Sequence, residues 1–384
     1  MIFLIDGHSI AFRAFYALPE TLETKDGFPT NVIHGFLMML SKLVNNYDVE
    51  KIIITWDVSK KTFRNEIYED YKANRSSSPD NFKIQINKLQ SLLTKFNLPQ
   101  VSLEGFEADD VLGSLSKHFN KKNKKVTIVT GDRDSFQLIS SKTHVMYTKR
   151  GISDVEIFDS NVFTEKYQIN TNQYIEYLAL KGDKSDNIPG LPGVGEKTAI
   201  SLLLKYKKIS NIYKNLDELT PKLKSNFEEH KDLLNMSKDL ATIKTDLDLE
   251  IPTTNLSETI FLDNKVLEDS GNEISKYELN RFLGERTNLN NNENEKEKLE
   301  IKLLDKNIDV LSIVFNFENK NYFVNIDEFG EFESLLNFNN IISLSSQKLF
   351  NEFQIEKPDK FIAYDCMLFL LDPSIRPVSY THLT

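Results

Sequence analysis

The feature that most constrains this chain is a series of short apolar runs rich in β-branched residues, three of which lead into an aspartate. The runs are Ile2 to Ile5, Lys51 to Thr55, Lys125 to Thr130 and His144 to Tyr147, with helical periodicity between the first three. Runs of this length bounded by turn signals read as buried strands. Strands alternating with helical patterns imply an α/β fold, here a twisted, mostly parallel sheet with crossover helices. In such sheets the carboxyl ends of the strands border the ligand crevice. Asp6, Asp57 and Asp132 stand just past those ends, so three acids far apart in sequence should meet at one edge.

Further acids arrive in three compact clusters: Glu107-Ala108-Asp109-Asp110, Asp132-Arg133-Asp134 and Asp183-Lys184-Ser185-Asp186. The first opens a helix whose buried stripe is Leu112, Leu115 and Phe119, which places Asp109 and Asp110 in its first turn. A lone aspartate after a strand is ordinarily a turn or cap residue, and acids at a helix start ordinarily answer its dipole. The joint pattern resists that explanation, because strand ends, a helix start and a loop all deliver acids to one edge. Asp6, Asp57, Glu107, Asp109, Asp110, Asp132, Asp134, Asp183 and Asp186 together supply nine of the ten units of net negative charge. The acidity is therefore concentrated in one place and does not exclude an anionic partner elsewhere on the surface.

Crowded carboxylates raise one another's pKa and resist burial unless cations relieve them. Oxygen donors without nearby cysteine favour Mg2+ or Mn2+ over Zn2+. Several acids around a pair of such ions can activate water and stabilise the leaving oxygen in phosphodiester hydrolysis. His8, beside Asp6, reads as a packed or hydrogen-bonded histidine, and Trp56 as core.

Two stretches could hold a nucleic acid. Between Ser59 and Phe82 bases and tyrosines interleave, with Lys60, Lys61, Arg64, Tyr68, Tyr71, Lys72 and Arg75 preceding the breaker run Ser76-Ser77-Ser78-Pro79. This reads as a partly helical excursion over the sheet edge, in which Arg64 and Lys72 face phosphates while Tyr71 stacks on a base. The second stretch is the glycine-rich hairpin Pro189 to Gly195, directly before Glu196-Lys197 opens a helix. Glycine lets a phosphate approach the backbone, and the amides at a helix N-terminus attract it. Gly190, Gly193, Gly195 and Lys197 are the candidate contacts, with Lys181, Lys184, Lys205, Lys207 and Lys208 around them. A plain interhelical turn is the competing explanation.

From about Thr171 to Gly284 the pattern is helical, interrupted by Ile188 to Gly195, and Thr287 to Lys298 is too polar to build a core. From Leu299 onward strand pairs (Val310 to Phe315, Tyr322 to Ile326) precede helices, and the segment stops where an α/β domain would still be incomplete. The residues from about Arg376 carry no periodicity and read as a truncation or a scar. No apolar run approaches the roughly 18 residues of a membrane span. The N-terminus meets Asp6 without the basic leader of a secretory signal, and the single cysteine, Cys366, permits no internal disulfide. A soluble, reducing, cytoplasmic setting is expected.

Six motifs then occur in order: Asp6-Gly7-His8, Phe63-Arg64-Asn65-Glu66, Tyr71-Lys72-Ala73-Asn74-Arg75, Phe106-Glu107-Ala108-Asp109-Asp110, Thr130-Gly131-Asp132-Arg133-Asp134, and Gly182 to Gly190. Over about residues 1–285 this succession resembles the 5′ nuclease domain of bacterial DNA polymerase I, a relative of flap endonucleases. The resemblance implies a PIN-like, flap-endonuclease fold with a helical arch at about 58–85 and a helix-three-turn-helix region carrying a helix-hairpin-helix motif. It divides the chain into a catalytic core (1–170), a helical DNA-binding region (171–286), a linker (287–298) and a partial 3′→5′ exonuclease-like segment (299–384). The implied activity is structure-specific 5′→3′ exonuclease and flap endonuclease action by a monomer on DNA with a 5′ flap, nick or RNA primer, in primer removal and repair.

By the same resemblance, two or more divalent ions would be held by the nine acids named above, with Asp6, Glu107, Asp109, Asp110 and Asp132 serving the catalytic ion. Arg64 and Lys72 would stabilise the scissile phosphate, Tyr71 would position the substrate, and Arg75 would contact DNA. The third segment is similar to the start of the 3′→5′ exonuclease-like domain through Val310 to Phe315, Tyr322 to Val324 and Ala363 to Leu368. That family's Asp-x-Glu pair is absent from Leu299-Glu300-Ile301-Lys302-Leu303-Leu304, and Asp365 alone cannot hold a metal pair, so this segment is expected to be inactive. No polymerase domain is present in the sequence. Two alternatives are a catalytically inactive junction-binding module, which the complete acid set disfavours, and a PIN-like ribonuclease, which the long basic insert disfavours.

Overall fold

The β-branched runs pair as their pattern requires. A computed structural model of the chain describes residues 1–59, 61–75, 77–150, 154–279, 282, 312–317 and 320–325. In it β1 (Ile2–Asp6), β2 (Lys51–Thr55), β3 (Gln100–Val101), β4 (Val126–Thr130), β5 (Thr143–Arg150) and β6 (Asp154–Phe158) form one sheet, ordered β3-β2-β1-β4-β5-β6. Neighbours pair in parallel except β5 with β6. Strands β1, β2 and β4 are buried along their whole length, which is why they read as unbroken apolar runs. Sequence patterning missed β3, which has two residues, and β6, an edge strand that is mostly exposed.

The helices are α1 (Gly7–Ala17), α2 (Asn31–Asn46), α3 (Phe63–Ile67), α4 (Asp80–Lys95), α5 (Ala108–Lys121), α6 (Ser160–Tyr167), α7 (Tyr174–Lys181), α8 (Glu196–Tyr206), α9 (Ile209–Lys214), α10 (Pro221–Glu229), α11 (Lys231–Ala241), α12 (Asn264–Asp269) and α13 (Gly271–Lys276). Side chains alternate across a strand, so each sheet face builds its own core. Phe3 and Ile5 pack with Ile10, Phe36 and Leu89 of α1, α2 and α4, together with residues between Leu256 and Phe282. Leu4 packs on the opposite face with Leu112 and Leu115 of α5 and with α7, α8 and α11. The chain winds from β1 to β3 in one direction and from β4 to β6 in the other, so β1 and β4 flank the switch point where such sheets open a crevice.

Residues 242–255, expected to be helical, run without regular structure. Leu247, Leu249 and Ile251 pack on the α5 side of the sheet and alternate with Asp246, Asp248 and Glu250. A period of two gives a helix no apolar face to bury. Helix α5 holds this strap: Asp110 Oδ1 accepts the Lys244 N–H at 2.8 Å and Ser114 Oγ accepts the Leu247 N–H at 3.1 Å.

The chain divides into two compact units, Met1–Thr287 and Asn288–Thr384. In the second, β7 (Ser312–Phe317) and β8 (Lys320–Asn325) form an antiparallel hairpin. The polar stretch 287–298, the Leu299 to Leu304 run, the Ala363 to Leu368 motif with Asp365 and Cys366, and the tail from Arg376 lie outside the described residues.

The glycine hairpin before α8 approaches its own chain. Gly182 and Gly190 have φ of +73° and +66°, and a Cβ on Gly190 would lie 2.4 Å from the Gly182 nitrogen. Gly195, the N-cap of α8, has φ −98° and no neighbour within 4 Å of an added Cβ. Gly190→Ala is therefore expected to destabilise the fold by about 1–3 kcal/mol. Gly195→Ala should cost under about 1 kcal/mol. Thermal denaturation of the two variants checks this, and equal melting temperatures would remove the packing argument.

Candidate active site

Asp6 is at once the last residue of β1 and the N-cap of α1. Its Oδ1 accepts the Ser9 N–H at 3.0 Å and its Oδ2 the Thr130 hydroxyl at 2.7 Å. Thr130 ends β4, so one hydroxyl ties together the two strand ends at the switch point. Two residues further on, Asp132 Oδ1 accepts the Asp134 N–H at 2.9 Å and turns the chain into a short 3-10 helix, Asp134–Leu138. Asp109, in the first turn of α5, accepts the Ser135 hydroxyl at 3.3 Å.

These four acids are poorly solvated and act on one another's charge. Burial, reinforced by Asp57 and Asp132, pushes the Asp6 carboxyl from 3.8 up to about 7. Asp109 is held well above the usual carboxylate range by burial and then by Asp132 and Asp6. Burial also raises Asp132, with Asp186 adding to it, and raises Asp134, with Asp132, Asp186 and Asp183 adding. Lys72 offsets part of the repulsion at Asp109, Asp132 and Asp134.

The remaining acids are answered by protein donors. Arg64, on α3, forks onto Asp110 with Nη1 at 2.7 Å and Nη2 at 2.9 Å, while its Nε and Nη2 donate to the Leu240 and Thr242 carbonyls at 2.9 and 3.1 Å. Lys72 Nζ lies 2.8 Å from Glu107 and 3.5 Å from Asp186, and Arg75 pairs with Asp186. The Tyr71 hydroxyl is 3.2 Å from both Glu107 Oε2 and Asp186 Oδ2. Asp57 Oδ1 caps α5 by accepting the Ala108 N–H at 2.7 Å, and its Oδ2 lies 3.5 Å from His8 Nδ1. Burial lowers the His8 pKa, which keeps that ring a neutral packing partner. Asp183 closes its own loop by accepting the Ser185 N–H and hydroxyl at 2.7 and 2.6 Å.

Lys72 reaches this position through a left-handed backbone, φ +58°, which is uncommon for a residue with a Cβ. The turn is clamped from the Asp183–Ile188 loop. Asp186 O accepts the Lys72 N–H at 3.0 Å, Asn74 Nδ2 donates to Lys184 O at 2.7 Å, and Asn187 Nδ2 donates to Asp70 O at 2.8 Å.

Asp6, Asp109, Asp132, Asp134 and Asp186 thus act on one another's charge, with Asp57 and Asp183 contributing and Glu107 joined to Asp186 through Lys72 and Tyr71. Asp110 turns away into the Arg64 pair and is fully buried. Arg64 and Tyr71, expected to face a phosphate and a base, are 2% and 4% exposed and spend their polar groups on acids. Lys72 and Arg75 are the more accessible cations of the same stretch, with side chains 25% and 49% exposed. Lys197 is exposed and lines, with Lys205, a cleft of about 660 Å³ along α8. Sequence reasoning missed the orienting donors Ser9, Thr130, Ser135, Asn74 and Asn187. The signal available for Thr130 and Asn74 was their place inside acidic and basic motifs.

Two family models match the chain in tandem: the 5′-3′ exonuclease N-terminal resolvase-like domain over residues 1–168, and the 5′-3′ exonuclease C-terminal SAM fold over residues 169–261. Residues 1–261 belong to the 5′-3′ exonuclease family. The resemblance carried by the six sequence motifs is borne out. This exonuclease-family region is 40% identical over 254 residues to DNA polymerase I of Bacillus subtilis, covering 66% of this chain and 29% of that protein. It is 38% identical over 262 residues to DNA polymerase I of Mycobacterium tuberculosis, covering 68% of this chain and 28% of that protein. The match therefore spans less than a third of the length of these relatives.

Among solved structures, the exonuclease fold is similar to a bacteriophage T5 flap endonuclease in a pseudo-enzyme-product complex with DNA and metal ions, with a TM-score of 0.53 and 18% identity over 75% of this chain and 98% of that one. A T5 5′-exonuclease with divalent metal ions (zinc) bound matches with a TM-score of 0.51 over the same shares. These likenesses bear out the α/β fold with its mostly parallel sheet. No helix among the described residues is long and apolar enough to cross a membrane.

The donor chemistry of this exonuclease-family acid group suits a hard divalent cation. Asp6, Asp109, Asp132 and Asp134 offer only carboxylate oxygens and repel one another, so a dication would relieve the cost of burying them. Among the described residues, no group of three or more His, Cys, Asp or Glu side chains stands ready as a metal cage. Asp6 and Asp109 accept from Thr130 and Ser135, while Glu107 and Asp186 share the Tyr71 hydroxyl and Lys72.

Proposed function

We propose that this chain hydrolyses DNA phosphodiesters as a structure-specific 5′→3′ exonuclease and flap endonuclease, working on flapped, nicked or primer-bearing DNA in the cytoplasm as a monomer. The observation that carries this reading is the convergence of carboxylates from β1, α5 and the turn after β4 at the sheet's switch point, backed by Lys72 and Arg75. Asp6, Asp109, Asp132 and Asp134 would hold Mg2+ or Mn2+, with Glu107, Asp186, Asp57 and Asp183 in support. Bound there, the ions would supply an activated water and charge stabilisation at the leaving oxygen.

The chain's own residues do the remaining work. Thr130 and Ser9 fix both oxygens of Asp6, and Ser135 orients Asp109. Lys72 and Arg75 present fixed positive charge at the acid rim for a phosphate whose charge grows in the transition state. The exposed Lys197 at the start of α8 gives a second contact to duplex backbone. Arg64 acts through Asp110, holding α3 against α5 and so fixing the Tyr71–Arg75 turn that follows.

The direct test is cleavage of a 5′-flap DNA with Mg2+ and with chelator, against RNA-only flaps. DNA cleavage that needs the metal is expected. Metal-independent cleavage, or binding without turnover, would overturn the proposal. Lys72→Ala should lower single-turnover cleavage by about 10²–10³-fold, with flap binding in chelator little changed. An unaltered rate would remove Lys72 from the site.

A further inference from the structure

A recess of about 490 Å³ lies on the side of the Asp132–Asp134 turn to which Arg133 points. Tyr147, Tyr167, Tyr174 and Tyr177 line it, with Phe136 and Phe158. The lining is already packed: Phe136 stacks on Phe158 with centroids 4.4 Å apart, and Tyr174 on Tyr177 at 5.6 Å. Tyr174 and Tyr177 are buried, while Tyr147 and Tyr167 are half-buried and present surface to an occupant. Burial holds the Tyr167, Tyr174 and Tyr177 hydroxyls above the usual phenol range, so they remain neutral hydrogen-bonding groups.

The charges at the mouth divide into paired and spare. Glu156 is taken by Lys149 and Lys166. Glu196 accepts the Tyr177 hydroxyl, and Asp154 stands on the edge strand. Arg133 lies 5.7 Å over the Tyr147 ring and Lys181 5.2 Å over the Tyr177 ring. Among the described residues neither of these two cations is in an ion pair, and Arg133 donates to the Tyr147 hydroxyl, which leaves its positive charge uncompensated. The recess runs from Arg133, between two acids of the candidate site, to Glu196, the first residue of α8. It therefore spans the two parts of the molecule that the proposed function gives to DNA.

Neutral phenol edges and aromatic faces suit a nucleobase, and spare cations above them suit a phosphate. The volume falls in the ~300–1,000 Å³ range of small-ligand clefts. We propose that this recess binds one nucleotide unit, its base against Tyr147 and Tyr167 and its phosphate on Arg133 and Lys181. The nucleotide is either a member of the bound strand or the released mononucleotide, and on this point the proposal rests on the nuclease reading.

The test uses the full chain in chelator, with two arms. In the first, dAMP, deoxyadenosine and inorganic phosphate are titrated calorimetrically. In the second, flap DNA carrying single 5-iodouracil substitutions is photo-crosslinked and the attached residue found by mass spectrometry. Binding of dAMP that Arg133→Gln with Lys181→Gln weakens by roughly tenfold or more supports a mononucleotide site. A crosslink to Tyr147 or Tyr167 that the same variant loses supports a strand site. Both charges are exposed, and the single variants serve as the check should the double variant melt early. Affinity and crosslinking unchanged by these substitutions, or neither dAMP binding nor a crosslink in the wild type, overturns the proposal. Metal-dependent flap cleavage by the wild type, measured alongside, shows whether the nuclease reading stands without it.

Discussion

Asp109→Asn is expected to give a better-folded protein that cleaves DNA at least about a thousandfold more slowly. Both effects have one cause. Asp109 sits among Asp132, Asp6 and Asp134, and burial and like charge hold its carboxyl well above the usual range. In the metal-free state an uncharged amide of the same shape relieves that repulsion, for a gain of about 0.5–2 kcal/mol. With metal present the same amide removes a ligand charge, and hydrolysis fails. Melting curves in chelator and in Mg2+ should cross, with the variant more stable in the first and the wild type gaining more in the second. A variant that melts earlier in chelator would show that Asp109 is not under electrostatic strain.

The same strain sets a pH dependence. Asp6 titrates at about 7 when folded against 3.8 unfolded. Between those values the folded state holds the extra proton, so its stability falls as pH rises through the window and the cost is complete above it. In chelator the melting temperature should therefore decline from about pH 4 to pH 7, and Asp6→Asn should flatten that decline, since asparagine can still cap α1.

The sheet was legible because its signals lie along the chain. Buried parallel strands read as continuous β-branched runs, and the switch-point rule brings Asp6 and Asp132 together without any contact information. The first turn of α5 was legible for the same reason, since Leu112, Leu115 and Phe119 fix its register. What stayed hidden depends on which group meets which in space. Arg64 and Lys72 lie eight positions apart in one basic stretch, yet one forks onto a fully buried Asp110 and the other pairs with Glu107 while keeping part of its side chain exposed. Gly190 and Gly193 look alike in the hairpin, but only the first of them meets the backbone of Gly182. The strap at 242–255 carries a period-two pattern that was overlooked between helices, and its register is set by hydrogen bonds to Asp110 and Ser114.

The largest loss of stability is expected from Arg64→Ala. Asp110 is 0% exposed, and its two oxygens take both prongs of the Arg64 fork, the Lys244 N–H at 2.8 Å and the Glu107 N–H at 3.1 Å. Removing the guanidinium leaves a buried carboxylate without its counter-charge, at a cost of about 3–5 kcal/mol. It also strips donors from the Leu240 and Thr242 carbonyls, so α3, α5 and the end of α11 lose their common anchor. Against a typical total of about 5–15 kcal/mol, this leaves the domain marginal. Arg64→Lys should recover little, because an ammonium cannot supply the planar fork. Arg64→Met combined with Asp110→Asn should recover part of the loss, since no buried charge is left to balance and the amide oxygen can accept the Lys244 N–H, while the Glu107 N–H loses its acceptor. Urea denaturation in chelator separates these cases, and it does so without reference to cleavage. If Arg64→Ala unfolds at the wild-type midpoint, the fork is not what holds α3 to α5, and the Tyr71–Arg75 turn must owe its position to the Asp183–Ile188 loop alone.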